Sequence, residues 1–290
     1  MKISRKLATL GLCSALFLGL TACQQDATIS NGTSQRQSSS TKVPWKASYT
    51  NLNNQVSTEE VKSLLSTHLD PKSVDAFFNL VNDYNTIVGS TGLSGDFTSF
   101  THTEYDVEKI SHLWNQKKGD FVGTNCRINS YCLLKNSVTI PKLEKNDQLL
   151  FLDNDAIDKG KVFDSQDKEE FDILFSRVPT EATTDVKVHA EKMETFFSQF
   201  QFNDKARMLS VVLHDNLDGE YLFVGHVGVL VPADDGFLFV EKLTFEEPYQ
   251  AIKFASKEDC YKYLGTKYAD YTGDGLAKPF IMNNDKWVKL

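Results

Sequence analysis

The chain has 290 residues, 41% hydrophobic and 11% aromatic, with 20 Phe, which is enough apolar mass for the core of a folded domain. Its formal net charge is −8, an acidic balance that argues against nucleic acid, anionic lipid head groups and anionic wall polymers as partners. After residue 20 no apolar run approaches the length of a transmembrane helix.

The first element is an export signal. Lys2, Arg5 and Lys6 precede an apolar run from Leu7 to Leu20, and Leu20-Thr21-Ala22-Cys23 follows. A basic segment, a short apolar segment and a small-residue cleavage site describe a secretory signal peptide over residues 1–22. The Leu-Thr-Ala-Cys run resembles the bacterial lipobox. That resemblance implies a diacylglyceryl thioether on Cys23, a lipid bilayer as partner, and an extracytoplasmic location at the cell membrane. Cleavage removes three cations and no anion, so the mature chain carries −11. Residues 23–42 are rich in Ser, Gln, Thr and Asn and read as a flexible tether. Residues 43–290 are then expected to form a single globular α+β domain. With Cys13 removed and Cys23 lipidated, three thiols remain: Cys126, Cys132 and Cys260. An odd number outside the cytoplasm leaves at least one unpaired within the chain.

The first half of the domain reads as helical. Ser57-Thr58-Glu59-Glu60 has the form of a capping box, opening a helix with Val61, Leu64 and Leu65 on one face. Asp70-Pro71-Lys72-Ser73 starts a second helix, with Val74, Phe77, Phe78 and Val81 at helical spacing. A third spans Asp106 to Trp114 and ends before Gly119. Thr124-Asn125 caps a fourth, running through Cys126, Ile128, Cys132 and Leu133. Asp153-Asn154-Asp155 reads as a solvated loop. Helices are predicted over Lys168 to Arg177 and Asp185 to Phe200, where Phe171, Leu174, Phe175, Met193, Phe196 and Phe197 recur with helical period. From Ala206 the pattern turns to strands: Ala206 to Leu213, Tyr221 to Val231, a turn at 232–236, and Phe237 to Phe245. A helix from Ser256 to Tyr263 follows, then strands near Phe280 and Trp287. Helices followed by an antiparallel sheet predict an α+β fold.

Three residues in this frame suggest chemistry. Cys126 stands at a helix start, where the macrodipole favours thiolate, the nucleophilic form. His226 interrupts an apolar strand between Gly225 and Gly228, which as glycines leave room around an imidazole. It is either buried and satisfied or placed to reach a partner. Glu241 shares a strand face with Phe237, Phe239, Leu243 and Phe245, and a carboxylate there needs a partner. A turn centred on Ala233-Asp234 sets His226 opposite Glu241, whereas a slip of one residue sets it opposite Lys242; the sequence leaves both open. Nucleophilic thiol, general base and orienting carboxylate are the parts of a thiol hydrolase.

This order, with Cys at a helix start and then His-x-Gly and a polar residue on successive strands, resembles the papain-like thiol hydrolases. The nearest branch is the NlpC/P60-type cell-wall peptidases and amidases. The resemblance implies Cys126 as nucleophile, His226 as base, Glu241 as orienting residue, and a peptide or cell-wall amide as substrate, with no cofactor. Asn125, the Cys126 backbone N–H and Tyr105 are its candidate oxyanion donors. The span from Cys126 to His226 is long for that branch and must hold two helices or an insertion. The chain also resembles a family of Gram-positive surface lipoproteins, a likeness that carries no activity with it. Two other functions stay open: a surface lipoprotein that binds a ligand or partner through the same cleft, and a structural wall-associated protein.

The remaining motifs carry less. Cys126 and Cys132, six residues apart on one helix, have Cα atoms roughly 9 Å apart, too far to bridge; outside a helix they would form a disulfide. Cys260, at a capped helix start, reads as a buried filler. Asp270 to Gly275 resembles the front of a calcium loop, but the position of the bidentate Glu is Ile281, which leaves a plain turn. No spacing predicts a metal site.

Overall fold

The helices begin where short polar side chains can accept a backbone N–H. A computed structural model describes residues 46–100 and 103–290. The signal peptide, Cys23 and the tether lie outside these residues. The helices are α1 (Gln55–His68), α2 (Pro71–Val88), α3 (Val107–Lys118), α4 (Cys126–Leu134), α5 (Phe151–Gly160), α6 (Ser165–Leu174), α7 (Val186–Phe197) and α8 (Lys257–Lys267). Asn54, Asp70, Asp106, Asn125, Asp164, Asp185 and Ser256 each cap the helix that follows, satisfying N–H groups that the first turn leaves unpaired. Among the α-helices of the described residues, only α5 opens without a side-chain cap.

Two sequence expectations change here. Ser57 is not the cap of α1. Asn54 is, with its side chain accepting from the Ser57 N–H at 2.9 Å, so the helix starts two residues before the capping-box pattern. The predicted loop at Asp153-Asn154-Asp155 is instead the interior of α5. Asp153 is fully buried on the same helical face as Ala156 and Ile157.

The strands are β1 (Ala47–Thr50), β2 (Thr98–Ser99), β3 (Val138–Thr139), β4 (Val178–Pro179), β5 (Gln201–Phe202), β6 (Arg207–Asp215), β7 (Tyr221–Ala233), β8 (Gly236–Lys242), β9 (Tyr249–Phe254), β10 (Phe280–Asn283) and β11 (Lys286–Val288). The main sheet runs β11-β10-β6-β7-β8-β9-β1-β2, with β4 joined to β7, and all its pairings are antiparallel. The α+β class with an antiparallel sheet is therefore as the sequence predicts. The simple order of helices first is not, because β1, which pairs with β9, precedes α1 in the chain.

Period-two alternation sends the strand side chains into two apolar layers. On one side Val212, Val224, Val227, Val229, Leu238 and Val240 pack with Phe77, Val81, Ile128, Leu133, Met193 and Phe197 from α2, α4 and α7. On the other, Leu209, Val211, Leu230, Phe239, Ile252 and Phe254 pack with Cys260, Tyr263 and Leu264 of α8.

The sheet splits at one point. The β7–β8 ladder runs from Ala233–Gly236 to Val229–Val240, whereas β8 stays beside β9 as far as Lys242–Tyr249. On the edge of β7 that β8 leaves, β4 pairs again only at Tyr221 and Leu222. The first turns of α4 fill the opening. Arg127 Nη1 donates to Val224 O at 3.0 Å and Ser130 Oγ to Val227 O at 3.2 Å. Backbone groups that lose their strand partner thus find helix side chains instead, as buried polar groups must.

Candidate active site

Cys126 is the first residue of α4, immediately after the cap Asn125, whose Oδ1 accepts from the Ile128 N–H at 3.1 Å. The thiol meets the side chain of His226 and the backbone N–H of Val227, both on the split edge of β7. Burial pushes the thiol up. The adjacent His226 charge and hydrogen bond, with help from Arg127 and the Val227 N–H, outweigh it and hold Cys126 below the usual thiol range. Burial pushes His226 down, but the Cys126 thiolate and the Glu241 carboxylate outweigh that and raise it. Both directions favour a thiolate–imidazolium pair over two neutral groups.

His226 Nε2 is 2.5 Å from Glu241 Oε2, which leaves Nδ1 for the thiol. The other carboxylate oxygen of Glu241 accepts the Tyr263 hydroxyl and lies 3.5 Å from Lys267 Nζ. Lys267 also donates to the Tyr263 oxygen at 2.8 Å. Burial works against the Glu241 charge, yet Lys267, His226 and Tyr263 overcome it and hold the carboxyl at about 2. A chain of polar groups therefore crosses the sheet, from Lys267 on α8 through Tyr263, Glu241 and His226 to Cys126 on α4. Tyr268, which ends α8, stacks on the His226 ring with centroids 4.9 Å apart and an interplanar angle of 23°.

The structure thus brings Cys126, His226 and Glu241 together, by a register other than either one predicted. The turn centres on Asp234-Asp235, with Ala233 opposite Gly236, displacing the pairing by two residues from the predicted one. A displacement of two keeps every side chain on its own face, so Glu241 still reaches His226, as a diagonal neighbour. The one-residue slip toward Lys242 does not occur. The flanking glycines also serve another purpose than the predicted space around the imidazole. Gly225 is the extra residue of a bulge between the His226–Val211 and Val224–Val212 pairs, and a Cβ there would meet Leu213 Cδ1 at 2.3 Å. At Gly228 a Cβ would meet the Phe239 ring at 2.3 Å. The predicted strand through Phe245 ends at Lys242.

Asn125 is occupied by structural bonds. Beyond capping α4, its Nδ2 donates to Asp153 Oδ1 at 2.7 Å. Tyr105 accepts from Asn51 Nδ2 at 2.9 Å and Gln250 Nε2 at 2.7 Å, and burial pushes its phenol up to about 12. Cys126, Cys132 and Cys260 are all free thiols, so the disulfide alternative is set aside. Burial raises Cys132 to about 12 and Cys260 well above the ordinary range, which leaves Cys126 alone among the three with a stabilised thiolate. Among the described residues, no group of three His, Cys, Asp or Glu side chains is arranged to hold a metal ion.

Sequence reasoning did not foresee the burial of two charges beside the site, Lys242 and Asp153. Lys242 donates to the carbonyls of Thr244 at 2.8 Å, Phe245 at 3.1 Å and Glu247, tying down the β8–β9 connection. Burial pushes it down to about 7. Asp153 receives Asn125 and Arg127. It had a legible signal, because it precedes Ala156 and Ile157 at the three- and four-residue spacing of one helical face. Lys242 had none, since its partners are main-chain carbonyls.

Among known proteins, a family described as a domain of unknown function (DUF4300) matches residues 48–288. No curated protein matches, and no solved structure matches.

Proposed function

The chain belongs to the DUF4300 family, and from the site it carries we propose an extracytoplasmic Cys-His-Glu thiol hydrolase of papain-like architecture that cleaves peptide or amide bonds. The observation that carries this reading is the continuous contact of Cys126, His226 and Glu241, with the thiol at a helix N-terminus and held below its usual range. In the proposed reaction Cys126 Sγ attacks the carbonyl carbon and the C–N bond breaks. His226 passes its proton to the departing amine, leaving a thioester on Cys126. Water then attacks the thioester and gives a proton to His226, the acid departs, and the thiolate–imidazolium pair returns. The backbone N–H of Cys126, at the first turn of α4, is the candidate donor to the developing oxyanion.

Location follows from the N-terminal reading: export, lipidation at Cys23, and anchorage at the outer membrane face within reach of wall peptides. Among the described residues no helix is long and apolar enough to cross a membrane.

The test is amine release from wall-derived stem peptides, read by mass spectrometry alongside site-specific alkylation of Cys126 against pH. The expected result is hydrolysis lost in Cys126→Ala and in His226→Ala, with an alkylation midpoint below the usual thiol range that rises in His226→Ala. An ordinary thiol profile unmoved by His226→Ala would overturn the hydrolase reading. A second reading, a protein that binds through this site without catalysis, is favoured by one observation: Cys126, His226 and Glu241 are only 5%, 1% and 1% exposed. It predicts ligand-dependent protection of Cys126 with no product.

A further inference from the structure

The residue after the nucleophile spans three elements. Arg127 Nε and Nη2 hold the two oxygens of Asp153 on α5 at 2.9 and 2.7 Å, the planar fork that suits a carboxylate. Its remaining nitrogen, Nη1, donates to Val224 O on β7 at 3.0 Å. Asp153 also takes Nδ2 of Asn125, the cap of α4, so one buried carboxylate fastens the residues on both sides of Cys126. The Val224 end of the bridge lies next to the Gly225 bulge and two residues before His226. Arg127 therefore fixes the start of α4 to the stretch of β7 that carries the imidazole, where the sheet has split and strand pairing no longer does so.

We propose that Arg127, locked in place by Asp153, is the positioning residue that sets the spacing between the Cys126 thiol and the His226 imidazole. This rests on the hydrolase reading of the site. Arg127 touches neither substrate nor reacting atoms in that role. It acts through the backbone on either side of them, and its charge adds to the field that favours thiolate. Lysine keeps the charge but concentrates its donors on one nitrogen and lacks the planar fork that spans from the Asp153 carboxylate to the Val224 carbonyl.

The experiment is iodoacetamide alkylation of Cys126 in the whole chain across pH, read by peptide mass spectrometry, with thermal melts recorded in parallel. The variants are Arg127→Lys, Asp153→Asn, His226→Ala and a control, Lys145→Gln. The control removes a cation from Asp172, another buried carboxylate, which Lys145 meets at 2.5 Å on α6. Arg127→Lys and Asp153→Asn are expected to raise the alkylation midpoint by about one pH unit, a roughly tenfold loss of thiolate at pH values below the wild-type midpoint. Lys145→Gln is expected to lower the melting temperature without moving the midpoint. If Asp153→Asn does not fold, Arg127→Lys decides alone. A profile for Arg127→Lys that superimposes on wild type, while His226→Ala shifts it, overturns the positioning role and leaves the triad standing. An equal rate loss at every pH with an unmoved midpoint marks a structural role only and also overturns it. A wild-type profile that His226→Ala does not move overturns the triad, and the positioning role with it.

Discussion

At the scale of single residues, the electrostatic surroundings separate the proposed catalytic groups from packed ones. Burial pushes both Cys132 and Cys260 up, Cys132 despite the nearby Lys135 charge. Cys126 is as deeply placed but has His226 beside it. The same contrast holds among the histidines. His189 is fully buried, with Nδ1 accepting from Thr180 Oγ1 at 2.6 Å and Nε2 donating to Thr183 O at 2.8 Å. Both nitrogens are satisfied in the neutral ring, its neighbour His214 lies 4.4 Å away between centroids, and burial holds it below its ordinary 6.5. The unfolded chain therefore takes up this proton first. The stability at stake is complete above about 6.5 and is lost as pH falls below that value toward the lower folded one. His189→Gln is expected to narrow the difference in melting temperature between pH 7 and pH 5, as measured by circular dichroism. An unchanged difference would assign the acid sensitivity elsewhere.

At the scale of elements, the site exists because β7 and β8 part company and α4 enters between them. The strands supply His226 and Glu241, the helix supplies the thiol, and α8 on the far face closes the set through Tyr263 and Lys267. The end of α8 also covers it. Tyr268 lies flat on the imidazole and is 8% exposed, and outside it Tyr271 is 60% exposed with centroids 5.3 Å apart. Exposure thus rises from Tyr268, stacked on His226, to Tyr271, whose ring is tilted 58° against it. Tyr268→Ala removes the inner ring. It is expected to speed Cys126 alkylation at neutral pH several-fold while Cys132 and Cys260 stay protected, with peptide mapping as the readout. Equal labelling of all three thiols would instead indicate general loosening of the core.

At the scale of the whole molecule, the proposed tether and the proposed chemistry bear on each other. A lipid on Cys23 would confine the domain to substrates near the membrane surface, and two acyl chains give stable attachment. Cys23→Ser is expected to release the protein from the membrane fraction into the medium and to abolish labelling by a palmitate analogue, without altering Cys126 alkylation. Retention in the membrane fraction would sink the anchor.

Much of this organisation was legible locally. Helix starts follow from Asp70, Asp106, Asn125, Asp185 and Ser256, because a cap is a contact between near neighbours. The faces of β7 and β8 follow from alternation, and parity alone kept His226 and Glu241 on one side through a register error of two. The helix-start thiol at Cys126 was readable for the same reason. What tertiary structure decided depends on segments distant in sequence. The turn at Asp234-Asp235 is chosen by how β8 sits against both β7 and β9. The split of the sheet is visible only once β4 and α4 take up the edge of β7. Asp153 becomes a buried anchor only when Arg127, 26 residues earlier, folds onto it. Local sequence determined which groups would be available at the site; the pairing of remote backbone and charge, which no short-range pattern encodes, determined which of them meet.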